Sequence, residues 1–128
     1  MDAVGGGGSV REQPDEEQVA LTVEVFRMLA DPTRVRVLWA LLDTELPVNE
    51  LATQVGKAQA SVSQHLAKLR MARLVRTRRQ GSQVFYRVEN EHVRQLVEDA
   101  IYHAEHVGPG VPAHHRGDGV ADLTRDTN

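Results

Sequence analysis

The run GKAQASVSQHLAKLRMARLVRTRRQGSQVFYRV, residues 56–88, decides the fold. Its apolar period changes once. Val62, Leu66 and Leu69 recur at helical spacing, which predicts a helix from about Gln59 to Arg70. Beyond Arg73 the pattern shortens. Leu74 to Arg79 and Gln83 to Val88 read as two short strands around Gln80-Gly81-Ser82, a hairpin signal. Ahead of the run, Pro47 opens a short helix from Val48 to about Val55, and Gly56 is placed to end it in a left-handed conformation. Two short helices about a glycine turn, followed by a basic hairpin, define a helix-turn-helix with a wing.

Working outward, Val19, Val23, Phe26 and Leu29 give an earlier helix from Glu17 to Leu29. Asp31-Pro32 then supplies an N-cap and a first-turn proline for a helix reaching about Leu42, with Val35, Leu38, Trp39 and Leu42 inward. After the hairpin, Asn90 caps a last helix to about His106, its apolar stripe formed by Val93, Leu96, Val97, Ala100, Ile101 and Ala104. The order α-α-α-α-β-β-α makes a mainly α domain over residues 18–106. Residues 1–17, with the glycine run Gly5 to Gly8, and residues 107–128, rich in Gly, Pro and charge, read as tails. A foldable part of this size has a modest core, so dimerisation is expected to bury more surface.

Charge is segregated. The 128-residue chain carries a formal net charge of −3, yet Leu51 to Val88 holds eight basic residues while all 18 acidic ones lie outside it. That local excess points to a polyanionic partner, double-stranded DNA. The fourth helix offers Gln59, Ser61, Ser63, Gln64 and Lys68 beside its core stripe, short hydrogen-bonding side chains and one cation suited to a major groove. His65 joins this set, although a histidine beside a core leucine is more often packed than aimed at a base. Capping the helix is the alternative role for Ser61 or Gln59. Arg76, Arg78 and Arg79 on the wing fit phosphates or the adjoining minor groove.

Five of the six histidines fall in the last 37 residues: His92, His103, His106, His114 and His115. On a helix, His92 and His103 lie within about 20° of one another in projection, with His106 about 60° from His103 and Asp99 on the same face. Eleven residues of helix rise about 16 Å, whereas metal–nitrogen bonds are about 2 Å. One helix therefore cannot hold one ion with both His92 and His103. Two such helices running antiparallel across a dimer axis can, bringing His92 of one protomer to His103 and His106 of its partner. With no cysteine in the chain, any metal takes nitrogen and oxygen donors. A zinc enzyme is disfavoured: there is no His-Glu-x-x-His pattern, and a small helical core leaves little room for a cleft. No apolar run approaches the ~20 residues of a membrane span. The N-terminus also lacks the basic and apolar stretches of a signal peptide, so a cytoplasmic location is expected.

Leu29-Ala30-Asp31-Pro32-Thr33-Arg34 with Leu38, Ser61-Val62-Ser63-Gln64-His65-Leu66 with Leu69, and Val84-Phe85-Tyr86-Arg87-Val88 resemble the ArsR/SmtB family of bacterial repressors over residues 19–106. The resemblance implies a homodimer joined through its first and last helices, bound to operator DNA and released by an inducer, usually a metal ion. The family's metal motif on the last helix falls here on Asn90, His92, His103 and His106. Asn90 departs from the usual Asp, and His106 matches the nickel and cobalt sensors rather than the zinc sensors. Segments 25–31, 62–79 and 89–97, with Gly108-Pro109-Gly110 and His114-His115, are similar to a nickel/cobalt-sensing member. That similarity implies ligands at His92, Glu105, His106, His114 and His115 for Ni(II) or Co(II), controlling metal efflux or homeostasis genes. Helical projection places Glu105 about 140° from His92, so it ligates only if the helix bends or frays. A response to Zn(II) or to a non-metal signal is the alternative reading.

Overall fold

A computed structural model describes residues 8–108. Among them, five helices and one hairpin follow in the predicted order: α1 (Glu16–Leu29), α2 (Pro32–Ala40), α3 (Val48–Val55), α4 (Gln59–Met71), β1 (Val75–Gln80), β2 (Gln83–Val88) and α5 (Glu91–Val107). His114 and His115 lie outside the described residues.

The helix starts follow from local chemistry. Asp15 caps α1 by accepting from the Gln18 backbone N–H at 2.8 Å, while the Gln18 side chain returns a bond to the Asp15 N–H. This capping box starts the helix one residue ahead of Glu17. Asp31 caps α2, with Pro32 at its first position. Gly56 ends α3 at φ +70°, as its position in the sequence predicted. At the end of α4, Arg73 takes φ +61° and Leu74 donates back to the Leu69 carbonyl at 2.8 Å. A non-glycine residue in this region is uncommon, and it turns the chain sharply into the wing. The turn also explains why Leu74, expected in the first strand, instead plugs the core just before it.

The core is continuous, running from Val37, Leu38, Leu41 and Leu42 through Leu46, Leu51, Val62, Leu66, Leu69, Leu74 and Val75 to Val93 and Val97. Val62, Leu66 and Leu69 are fully shielded, as their spacing predicted. On α2 the expected inward set needs correction. Helix geometry turns Val37 and Leu38 into the core and leaves Trp39 42% exposed and Val35 only half-buried. The helix also stops at Ala40, with Leu41 and Leu42 buried beyond its end. On α5 only Val93 and Val97 are buried, and Ala100 and Ala104 lie open.

The wing is a two-stranded antiparallel ribbon with Val75 opposite Val88 and Gln80 opposite Gln83. Gly81 has the positive φ that a tight two-residue hairpin turn requires. Leu46 docks beside it, exchanging backbone hydrogen bonds with Tyr86 at 3.1 and 2.9 Å. The ribbon is thereby fastened to the link between α2 and α3.

Two exposed regions among the described residues are apolar. α1 buries no residue, and Val19, Leu21, Val23 and Phe26 are exposed along it. Trp39 and Tyr102 meet edge-on at 6.3 Å, both largely exposed, between α2 and α5. Exposed apolar helix faces of this kind mark an association surface.

Because α4 is held by three fully buried side chains, Leu66→Ala should cost roughly 3 kcal/mol of unfolding free energy. Met71→Ala, 85% exposed on the same helix, should stay within about 0.5 kcal/mol. Urea denaturation followed by circular dichroism checks both.

Candidate nucleic-acid interface and metal helix

The helix-turn-helix is α3–Gly56–α4. On α4, Gln59, Ser63, Gln64 and Lys68 are exposed and Ser61 is half-buried. Ala58 is the N-cap and no side chain caps the helix, so neither Gln59 nor Ser61 is engaged in capping. Their side chains stay available, and the first-turn N–H groups of α4 have no side-chain cap.

His65 departs from this set. Its Nδ1 lies 3.3 Å from Arg34 Nη1 and 4.0 Å from Asp31 Oδ1. The half-buried side chain makes its contacts at the start of α2, in keeping with the packed role that the sequence set beside base reading. Arg34 itself is buried, and its Nε donates to the Met28 carbonyl at 2.7 Å. Asp31 accepts from the Arg34 backbone N–H at 2.9 Å. One guanidinium thus joins the end of α1, the start of α2 and the middle of α4. The sequence signalled the Asp31 cap but gave no sign that Arg34 would be internal.

The wing arginines separate by strand face, since side chains alternate along a strand. Arg76 and Arg78 share one face and Arg79 lies on the other. Arg76 donates to the Glu89 carbonyl at 3.4 Å. Arg78 forms a forked pair with Glu45, with Nε–Oε1 at 3.0 Å and Nη2–Oε1 at 2.7 Å. This bond holds the Glu45 carboxyl below its usual range. Sequence reading missed Glu45 because it lies before the acid-free window and is carried back to the wing only by folding.

On α5, His92, His103 and His106 are all exposed and Glu105 is half-buried. The helix runs unbroken from Glu91 to Val107, so His92 and His106 of one chain stand about 21 Å apart along the axis. Among the described residues no group of three candidate ligands converges within one chain. The Asn90 side-chain oxygen accepts from the Val93 N–H at 3.1 Å, capping the helix. Arg94 fastens α5 to the body. It donates to the Leu42 carbonyl at 3.3 Å, to Glu98 at 3.1 Å, and to Asp43.

A three-helix head with a glycine-turned reading helix and a docked basic wing is the DNA-binding module of a transcriptional regulator. Residues 31–77 match the family described as bacterial regulatory protein, arsR family. The chain is 72% identical over 104 residues to the HTH-type transcriptional regulator KmtR of Mycobacterium tuberculosis, spanning 81% of this chain and 80% of that protein. It is 35% identical to NmtR of the same organism over 88% of this chain and 97% of that one. Among solved structures, the homodimeric winged helix-turn-helix DNA-binding domain from Mycobacterium bovis superposes with TM-score 0.65 at 28% identity, covering 78% of this chain and 98% of that one. The chain belongs to the ArsR family. It is a winged helix-turn-helix regulator, and its relatives are regulators rather than enzymes. No helix among the described residues is long and apolar enough to cross a membrane.

The Asp31 carboxyl is held below its usual value chiefly by the Arg34 backbone N–H, with burial opposing and the charges of Arg34 and His65 assisting. A lowered folded value means that its stabilisation is complete above the ordinary carboxylate range and is lost as pH falls through the folded value. Asp31→Ala should therefore cost about 1 kcal/mol at neutral pH. The difference from wild type should hold at pH 5 and shrink below about pH 4. Urea midpoints at pH 7, 5 and 3 check this.

Proposed function

We propose that this regulator represses transcription by binding operator DNA as a homodimer and leaves the operator when Ni(II) or Co(II) binds α5 across the dimer, controlling metal efflux or homeostasis genes. The observation that carries the reading is the unbroken α5 with three exposed histidines beside an apolar surface. Because an unbroken helix of this length cannot bring both ends to one ion, a site using His92 together with His103 or His106 would need a second copy. His92 of one protomer would face His106 of its partner, with His103 on the same face. Glu105 and the tail residues His114 and His115 are the further ligands that the family resemblance supplies. An all nitrogen and oxygen donor set with more than four candidates suits Ni(II) and Co(II), which take higher coordination than tetrahedral Zn(II).

On the DNA side, Gln59, Ser63 and Gln64 would meet base edges, with Ser61 and Lys68 at their flanks on phosphate. Arg76 and Arg79 of the wing would take backbone or minor-groove contacts. Arg94 links the two functions, because it ties α5 to the end of α2, whose helix packs on α4. Metal that fixes the angle between two α5 helices thereby biases the spacing of two α4 helices. This is a coupling free energy between sites, and it acts in both directions.

An operator gel-shift titration tests the reading. Saturating Ni(II) or Co(II) should weaken operator affinity by about 10–100-fold, and the His92→Ala/His106→Ala variant should lose both metal binding and release. Operator affinity unchanged by metal would contradict the sensing claim. Undiminished metal affinity in the variant would favour a regulator answering zinc or a non-metal signal. The visible spectrum of the Co(II) form separates the metals: weak d–d bands fit six-coordination, and intense tetrahedral bands fit zinc.

A further inference from the structure

The wing carries three arginines on its first strand and turn, and the structure treats them differently. Arg79, opposite Val84 in the ribbon, engages no described residue through its side chain. Arg78 is engaged through all three of its nitrogens. Nε and Nη2 hold the Glu45 carboxylate at 2.7–3.2 Å, and Nη1 donates to the Gln80 side-chain oxygen at 2.7 Å. The guanidinium carbon also sits 4.9 Å from the centroid of Phe85, its cross-strand partner. Glu45 is the residue immediately before Leu46, whose backbone is bonded to Tyr86. The side-chain fork and the backbone bridge therefore fasten the same link to both strands of the ribbon.

We propose that Arg78, with Glu45, is a positioning residue that sets the angle of the wing against the helix-turn-helix, and that Arg79 is the wing residue that neutralises a DNA phosphate. The proposal rests on the DNA-binding reading above. A forked arginine–carboxylate pair has fixed geometry that a lysine, as a point charge, cannot reproduce. A phosphate contact, by contrast, needs mainly the charge. Arg87 lies 4.0 Å from the same Glu45 carboxylate and reinforces its hold without the forked geometry.

The two roles separate in the salt dependence of operator binding. Each neutralised phosphate adds about one unit to the slope of log affinity against log salt. Arg79→Ala should weaken binding and reduce that slope by about one. Arg78→Lys keeps the charge but loses the fork, so it should weaken binding severalfold with the slope unchanged. Glu45→Gln should also weaken binding at unchanged slope, although it removes a negative charge from the DNA-binding side. The double exchange Glu45→Arg/Arg78→Glu should recover affinity relative to Arg78→Glu alone, and melting curves verify folding of each variant. The proposal is overturned if Arg78→Lys binds as wild type, if Glu45→Gln tightens binding, or if the exchange variant binds no better than Arg78→Glu. A slope unchanged by Arg79→Ala overturns its assignment to a phosphate, and a slope unchanged by Arg76→Ala, Arg78→Ala and Arg79→Ala alike would instead remove the wing from the interface, which is failure of the underlying reading and not of the latch alone.

Discussion

Arg34 is the one charged residue buried among the described residues, and the geometry of the domain turns on it. An internal guanidinium is tolerated only when its donors are satisfied. Here the Met28 carbonyl takes its Nε–H and His65 lies within hydrogen-bond distance of Nη1, while Asp31, which accepts from the Arg34 backbone N–H, supplies a neighbouring negative charge. These partners belong to the exit of α1, the entry of α2 and the reading helix. The helix that presents the exposed apolar face and the helix that presents the DNA-reading side chains are therefore fixed to one another through one side chain. The hydrophobic core around Leu66 holds α4 in place, and the Arg34 cluster fixes how α1 leaves it.

The same economy of connection recurs at the other two attachments. Arg94 ties α5 to the end of α2, and Arg78 ties the wing to the link that follows. Both meet the segment Leu42 to Leu46. The head of the molecule thus has a short junction to which α5 and the wing are separately fastened. On the proposed reading, a change in the relative angle of two α5 helices would reach the DNA-binding surface through this junction, with no need for α5 itself to touch DNA.

Much of this was legible in the sequence. The change of period after Arg73, the Gly56 and Asp31 signals and the Val62–Leu66–Leu69 stripe carried the element order and the centre of the core, because each rests on local backbone chemistry. Trp39 was misplaced because α2 is short and apolar on more than one face, so periodicity alone could not choose between Val37 and Trp39. Arg34 and Glu45 were invisible for a different reason. Their roles depend on residues 31 and 33 positions away, His65 and Arg78, and no local pattern encodes such pairs. The position of His65 on α4 and of Arg78 on the wing suggested DNA contacts, but a local pattern does not report the carboxylates, Asp31 and Glu45, that folding brings beside them. The histidines of α5 were legible as a face, since helical projection depends only on the helix staying unbroken, as it does.

The central claim is that the metal site is shared between protomers, and a heterodimer decides it. A dimer built from one His92→Ala protomer and one His106→Ala protomer retains a single complete pairing of His92 with His106 if the two come from opposite chains, and none if they come from the same chain. Co(II) binding to the purified heterodimer, followed by visible absorption, should recover one site of wild-type character while both mutant homodimers show none. A heterodimer as defective as the two homodimers would contradict a shared site.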